Sequence, residues 1–211
     1  MGFILGLHGA AKAGKDTVAD YILSEYSWGE KLSFAGNLKE MCKVVFQLTD
    51  EDVNTQEGKE RPFPQPKTFT QRNLGSVLYW MAQTHSAYPP AKGSREKLKT
   101  LIGTELSTPR QVLQFVGTDV CRTVVPSYHG DVVIKKIKDN PDTNFVITDV
   151  RFPDEGDLIL DDYNGIVVEV LRESTSKENI DRSHASETAM QEWGRFTDVV
   201  NNQKDGLPFL F

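Results

Sequence analysis

Residues 9 to 17 read Gly9-Ala10-Ala11-Lys12-Ala13-Gly14-Lys15-Asp16-Thr17, a G-x-x-x-x-G-K spacing. What surrounds the loop constrains the fold more than the loop does. Before it, Phe3 to His8 forms a short run that is continuous in apolar residues rather than alternating, as a strand buried on both faces requires. After it, from Gly14 to Tyr26, the apolar residues Val18, Ala19, Ile22 and Leu23 recur at helical spacing. A buried strand, a glycine turn and an amphipathic helix in immediate succession place a helix N-terminus at a sheet edge. The glycines let backbone N–H groups turn inward around phosphate oxygens, and the helix dipole adds positive potential there. Lys12 and Lys15 are then the cations that hold phosphates, with Lys15 reaching the outer ones.

Asp16 stands where Ser or Thr commonly puts a hydroxyl on Mg²⁺, and Thr17 follows one place later. Two roles are open to this acid. It can ligand a divalent cation, which would offset the repulsion between a carboxylate and a triphosphate. It can also be an ordinary first-turn acid favoured by the helix dipole.

Further elements follow in an order that indicates a parallel sheet with helices on both faces. Lys31 to Ala35 is a short second strand, and Leu38, Met41, Val44, Val45 and Leu48 mark one face of a second helix. Between residues 50 and 107 the pattern weakens among prolines, around one helix near Leu74 to Gln83. This stretch reads as an insertion or mobile subdomain within a single domain spanning 1–211. Ser107-Thr108-Pro109 predicts a capped helix start, with the helix running to about Val124 and another over Val132 to Lys138. Asn144 to Asp149, Ile166 to Leu171 and Asp198 to Val200 complete the strands.

Composition excludes several functions. With 24 Lys and Arg against 30 Asp and Glu, the net charge of −6 argues against coating duplex nucleic acid. A few cations in one cleft still suffice for a small phosphorylated molecule. Cys42 and Cys121 are too few for a disulfide framework, His8, His85, His129 and His184 share no metal-binding spacing, and no apolar run reaches membrane-spanning length. A cytoplasmic protein is expected. Trp28, Trp80 and Trp193 are expected in cores or interfaces.

Three polar clusters remain. Val112, Leu113, Val116, Val120 and Val124 share one arc of a helix, and Arg110, Gln114, Thr118 and Arg122 share the other. That second stripe is either a grip for a phosphate and a base edge or a solvated face. Asp149-Val150-Arg151 follows the strongest strand, at the carboxyl edge where open parallel sheets bind ligands. Asp149 resembles the acid that holds Mg²⁺-bound water in phosphate-loop enzymes, and Arg151 is placed to clamp a transferred phosphoryl group. A capping loop with a surface Arg–Asp pair is the plainer alternative. The polar stretch around 172–187, which includes His184 and Glu187, suits a lid.

Five blocks occur in order: residues 9–20 (Gly-x-x-x-x-Gly-Lys-Asp-Thr-x-Ala-Asp), 34–40 (Phe-Ala-Gly-Asn-Leu-Lys-Glu), 109–119 (Pro-Arg-x-x-x-Gln-x-x-Gly-Thr-Asp), 149–155 (Asp-Val-Arg-Phe-Pro-Asp-Glu) and 183–187 (Ser-His-Ala-Ser-Glu). With the closing Asp-Val-Val-Asn-Asn at 198–202, they resemble the deoxynucleoside monophosphate kinases of bacteriophages, leaving 50–107 unmatched. The resemblance implies an α/β P-loop NTPase fold: a parallel sheet flanked by helices, with a helical insertion and a small lid. It also implies transfer of the γ-phosphoryl group of ATP to a deoxynucleoside monophosphate with Mg²⁺. By position, Leu38 and Lys39 would lie at the monophosphate, and Arg110, Gln114, Arg151 and Glu187 would line the acceptor pocket or lid. Arg122 joins Arg151 in neutralising charge on the phosphates, and Asp16 and Asp149 are the metal candidates. ATP and the monophosphate are the expected partners, and a homodimer is compatible with this picture. A different small-metabolite kinase, such as a dephospho-coenzyme A kinase, and a non-catalytic nucleotide-binding module are the alternatives.

Overall fold

The structure is a computed structural model that describes residues 2–84, 90–172 and 188–202. Its contacts divide the chain into two compact units, 1–34 with 133–211 and 35–132.

The first unit is built on five parallel strands: β1 (Ile4–His8), β2 (Glu30–Leu32), β5 (Phe145–Ile147), β6 (Ile166–Leu171) and β7 (Asp198–Asn201). They lie in the order β2-β5-β1-β6-β7, so β1 is central. Alternate residues feed two apolar layers, because side chains along a strand point to opposite faces. Leu5, Leu7, Val146, Val168 and Val170 pack with Val18 and Ala19 of helix α1 (Lys15–Tyr26). Ile4, Phe145, Ile147 and Val167 pack on the other face with Val133, Ile137, Ile159 and Met190. This is the α/β sheet with helices on both faces that the sequence order indicates. The chain leaves β1 towards one side of the sheet and later returns on the other. That reversal makes the carboxyl end of β1 the crevice where open α/β sheets take ligands.

The strand expected over Lys31 to Ala35 is shorter and ends at Leu32. Ser33 and Phe34 direct their polar groups to the Asp149 carboxylate instead of to a neighbouring strand. Asp149 itself lies beyond β5, which ends at Ile147.

In the second unit the strand pair β3 (Lys67–Thr68) and β4 (Glu105–Leu106) is antiparallel, and the other regular elements among the described residues are helices. Helix α2 (Gly36–Phe46) buries Leu38, Met41, Cys42 and Phe46. A core that also includes Val77, Val112, Val116 and Tyr128 forms around it. The weakly patterned region between 50 and 107 contains more structure than its one expected helix. Asp50–Asn54, Gln56–Glu60 and Ser94–Thr100 are helical as well as Gln71–Thr84. The first two are too short to show a 3.6-residue period and are set by their caps: Thr49 accepts from the Asp52 N–H and Thr55 from the Gly58 N–H. The helix from Pro109 to Val124 forms as expected, capped by Thr108, but its middle, Phe115–Cys121, widens into π-helical turns. The next helix begins earlier than expected and spans Tyr128–Asp139.

Trp80 packs against the core of the second unit, and Trp28 and Trp193 against those of the first. Cys42 and Cys121 are buried free thiols. Among the described residues no helix is long and apolar enough to cross a membrane.

Candidate functional site

The loop after β1 turns where its glycines stand. Gly14 caps α1 at φ 93°, a left-handed conformation that side chains other than glycine's adopt at a cost. A Cβ there would also sit 2.2 Å from Nδ2 of Asn202. That close approach is used: the Asn202 amide donates to the Ala13 carbonyl at 2.8 Å and ties the end of β7 to the loop. Within the loop the Ala13 N–H donates to the Ala10 carbonyl at 3.1 Å. The Lys15 ammonium folds back over it, donating to the Gly9 carbonyl at 2.7 Å and the Ala10 carbonyl at 2.9 Å. A cation therefore stands over the loop at the start of a helix of 12 residues, where the dipole favours an anion. Ala13 is buried, Gly9, Ala10 and Ala11 are half-buried, and Lys12 and Thr17 are exposed. Arg172, the one described residue of the expected lid, donates to the Lys12 carbonyl at 3.4 Å. Glu187 and His184 lie outside the described residues.

Asp16 is exposed on the first turn of α1 and lies 3.1 Å from the Lys31 ammonium, which also meets Asp20 at 2.8 Å. Burial opposes the charge on Lys31, yet these two carboxylates hold its ammonium above the ordinary lysine value. Asp149 is held more firmly. Its two oxygens accept from the Ser33 hydroxyl at 2.7 Å and from the Phe34 N–H at 2.8 Å. The short segment from Lys31 to Phe34 thus touches both metal candidates. Mg²⁺ is commonly bound through one or two carboxylates and completes its shell with water and phosphate oxygens. Two hard carboxylates tied to one segment beside a phosphate-type loop fit that ion. No group of three His, Cys, Asp or Glu side chains able to hold a metal occurs among the described residues.

Arg151 sits in the turn after Asp149, half-buried. The Glu155 carboxylate accepts from the Arg151 N–H at 2.8 Å and the Phe152 N–H at 3.2 Å, so this turn is also the capped start of the helix Pro153–Asp157.

His8, given no role by the sequence, lies among these groups. Its Nδ1 is 2.8 Å from the Val150 carbonyl, which can only accept, so Nδ1 carries the proton. The ring stacks on Phe196. Burial pushes its pKa below the usual histidine value; the bond to Val150 and Glu169 act to raise it, while Lys15 and Arg151 act to lower it. Folded chains therefore bind fewer protons at His8 than unfolded ones, and stability falls as pH drops through the unfolded value of 6.5. Between about pH 7.5 and about pH 5.5, His8→Gln should lose less of its melting temperature than the parent protein. Equal losses in thermal unfolding would show that His8 does not titrate in this window.

The residues expected at the acceptor belong to the second unit, except Arg151. Leu38 is buried, with a methyl only 2.7 Å from where a Cβ on Gly117 would stand. Its side chain is core packing. Lys39 donates to Asn54 at 3.3 Å. Arg110 is ion-paired with Glu60 and donates to Gln56 at 3.1 Å. Gln114 is half-buried. Arg122 donates to the Pro126 carbonyl at 3.2 Å. Arg110 and Arg122 lie towards opposite ends of the helical stretch Pro109–Val124, each with partners of its own. The polar interior nearby is a network missed in the sequence: Asn37 and Thr84 meet the Tyr128 hydroxyl at 2.6 and 2.8 Å, and the Trp80 N–H donates to Asn37 at 3.1 Å. Burial pushes the Tyr128 hydroxyl up to about 12.

No family model matches the chain. A deoxynucleoside-5′-monophosphate kinase of Escherichia phage T5 is 29% identical over 238 aligned residues, covering 98% of this chain and 92% of that protein. A protein of Acanthamoeba polyphaga mimivirus named as a deoxynucleotide monophosphate kinase is 28% identical over 214, covering 95% and 89%. The crystal structure of TT1252 from Thermus thermophilus aligns over 97% of this chain and 90% of its own at 14% identity, with a TM-score of 0.40. Over nearly its whole length, then, the chain is similar to viral proteins named deoxynucleoside monophosphate kinases, the resemblance that its motifs carry.

Proposed function

We propose that the protein is an ATP-dependent deoxynucleoside monophosphate kinase that makes diphosphates and ADP, in the supply of precursors for viral DNA. The observation that carries this is the Lys15 ammonium over the Gly9 and Ala10 carbonyls at the head of α1, with Asp149 and Arg151 following β5. The full-length similarity to the two viral proteins supports it.

The donor phosphates lie in the loop Gly9 to Thr17, against its backbone N–H groups, Lys12 and Lys15. Asp16 and Asp149 are the residues that would hold Mg²⁺, which would supply positive charge against the phosphates of the donor. An oxygen of the acceptor's phosphate attacks the γ phosphorus, the bond to the β–γ bridging oxygen breaks, and ADP departs. A phosphate oxygen is already nucleophilic, so alignment and charge stabilisation dominate and no strong base is needed. Arg151 and Arg122 offset the charge of the transferred group and acceptor phosphate. Lys39, Arg110 and Gln114 bear on the acceptor, with Glu187; Leu38 contributes through its place in the helix.

The test is ADP release from MgATP with no acceptor, with each deoxynucleoside and ribonucleoside monophosphate in turn, and with dephospho-coenzyme A. Acceptor-dependent release with a deoxynucleotide is expected. Release only with dephospho-coenzyme A, or none with any acceptor, sinks this assignment.

For Asp16, Asp16→Asn should weaken the response to Mg²⁺ and cut turnover by about tenfold or more, roughly 1.4 kcal/mol of barrier. Its exposed pair with Lys31 contributes only about 0–1 kcal/mol to stability, so melting should change little. Full activity with an unaltered Mg²⁺ titration would leave Asp16 as a dipole-favoured acid and shift the metal role to Asp149.

A further inference from the structure

Alternation along β1 puts Ile4, Gly6 and His8 on one face of the sheet. The chain that leaves β5 crosses that face. Val150 is buried there, and a Cβ on Gly6 would stand only 3.0 Å from its Cγ2. Gly6 therefore gives the crossing segment room to lie against the sheet. His8, next on the same face, supplies the polar group that bonds to it.

Two consecutive residues of β1 hold Val150. Its N–H donates to the Leu7 carbonyl at 3.2 Å, and its carbonyl accepts from His8 Nδ1 at 2.8 Å. That carbonyl belongs to the same peptide unit as the Arg151 N–H, which donates to the Glu155 carboxylate at 2.8 Å. The peptide joining Val150 to Arg151 is thus fixed at both ends by side chains. Each of these side chains is itself confined: Glu155 is buried, and the His8 ring stacks on Phe196 with centroids 5.2 Å apart. Fixing both ends of a planar unit sets the soft dihedrals on either side of it, ψ of Val150 and φ of Arg151. Those angles decide how the Arg151 side chain leaves the backbone.

We propose that His8 is the positioning residue for Arg151, holding through the Val150 carbonyl the turn that presents the guanidinium; its catalytic consequence rests on the proposed kinase function. A clamp displaced by about 1 Å can cost on the order of 10²-fold in rate, so a single bond in the backbone beneath it is worth a measurable part of turnover.

The experiment compares His8→Phe, which keeps an aromatic ring for Phe196 but has no donor, with His8→Asn, whose amide nitrogen stands as many bonds from Cβ as Nδ1 does. Amide spectra and melting temperatures show that each variant is folded; His8→Leu makes the same comparison if the Phe protein does not fold. In His8→Phe, kcat should fall by about tenfold or more while the KM for ATP stays within about twofold. Hydrogen exchange at the Arg151 amide should quicken by about tenfold or more. His8→Asn should bring both back to within about threefold of the parent. Because His8 acts through Arg151, adding His8→Phe to Arg151→Lys should slow that variant by no more than about twofold.

Parental turnover in either single variant, or parental exchange at Arg151 in His8→Phe, overturns the proposal. So do losses that His8→Asn does not recover, or that simply multiply in the double variant. If even the parent releases no ADP with any acceptor, the kinase assignment fails on its own account. Exchange at Arg151 then decides for His8: quickened in the Phe variant and restored in the Asn variant, it supports His8 as the residue that holds the turn, and unchanged it overturns that role.

Discussion

Lys15→Ala is expected to keep the fold and lose phosphoryl transfer by on the order of 10²-fold or more. The lysine donates to the Gly9 and Ala10 carbonyls of the loop, which water can satisfy once the ammonium is gone. The buried sheet core beneath, including Leu5, Leu7 and Ala13, is untouched, so thermal unfolding should stay close to the parent's. In the proposed reaction, by contrast, transfer moves negative charge among phosphate oxygens beside this cation. A missing charge there is felt most in the transition state, so kcat should fall more than the KM for ATP rises. Near-normal turnover in a folded Lys15→Ala protein would show that the Gly9–Thr17 loop is not where the donor phosphates lie.

Replacing Asp149 should affect both stability and turnover, and two substitutions separate them. In Asp149→Ala the N–H of buried Phe34 loses the carboxylate it donates to, and the Ser33 hydroxyl loses the same partner. An unsatisfied buried donor costs about 1–3 kcal/mol, so the melting temperature should fall by several degrees. Asp149→Asn keeps a carbonyl oxygen for the Phe34 N–H, and the Ser33 hydroxyl can turn to accept from the new amide. Its stability should stay near the parent's, while the lost charge should lower turnover by at least about tenfold and weaken the response to Mg²⁺. If the Asn variant turns over at the parental rate with an unchanged Mg²⁺ titration, Asp149 is a brace for the Ser33–Phe34 segment and nothing more.

What could be read in the sequence follows from distance along the chain. Gly9, Gly14 and Lys15 are legible because a turn, a helix start and a cation are specified within a few residues. The strands at Ile4–His8 and Ile166–Leu171 are legible because burial on both faces leaves an uninterrupted apolar run. Helices of five residues at 50–60 show no periodicity, and only Thr49 and Thr55, each followed by its capped N–H, betray them. Arg110 illustrates the opposite limit. Its helical position was readable, but its partner Glu60 lies fifty residues away and was not.

The sequence by itself determined the strand–loop–helix unit, the parallel α/β class, and the cap at Thr108. Each depends on steric and hydrogen-bonding preferences that act within one or two turns of chain. Tertiary structure alone decided that β1 lies between β5 and β6, and so which distant groups meet at its carboxyl end. It put the Val150 carbonyl on His8, the Asn202 amide on Ala13, and Ser33 with Phe34 on Asp149. These pairings follow from strand order and helix packing, which are set by burying apolar surface over the whole of each unit. No local pattern encodes them, because the same side chains would satisfy the same local rules in a different strand order.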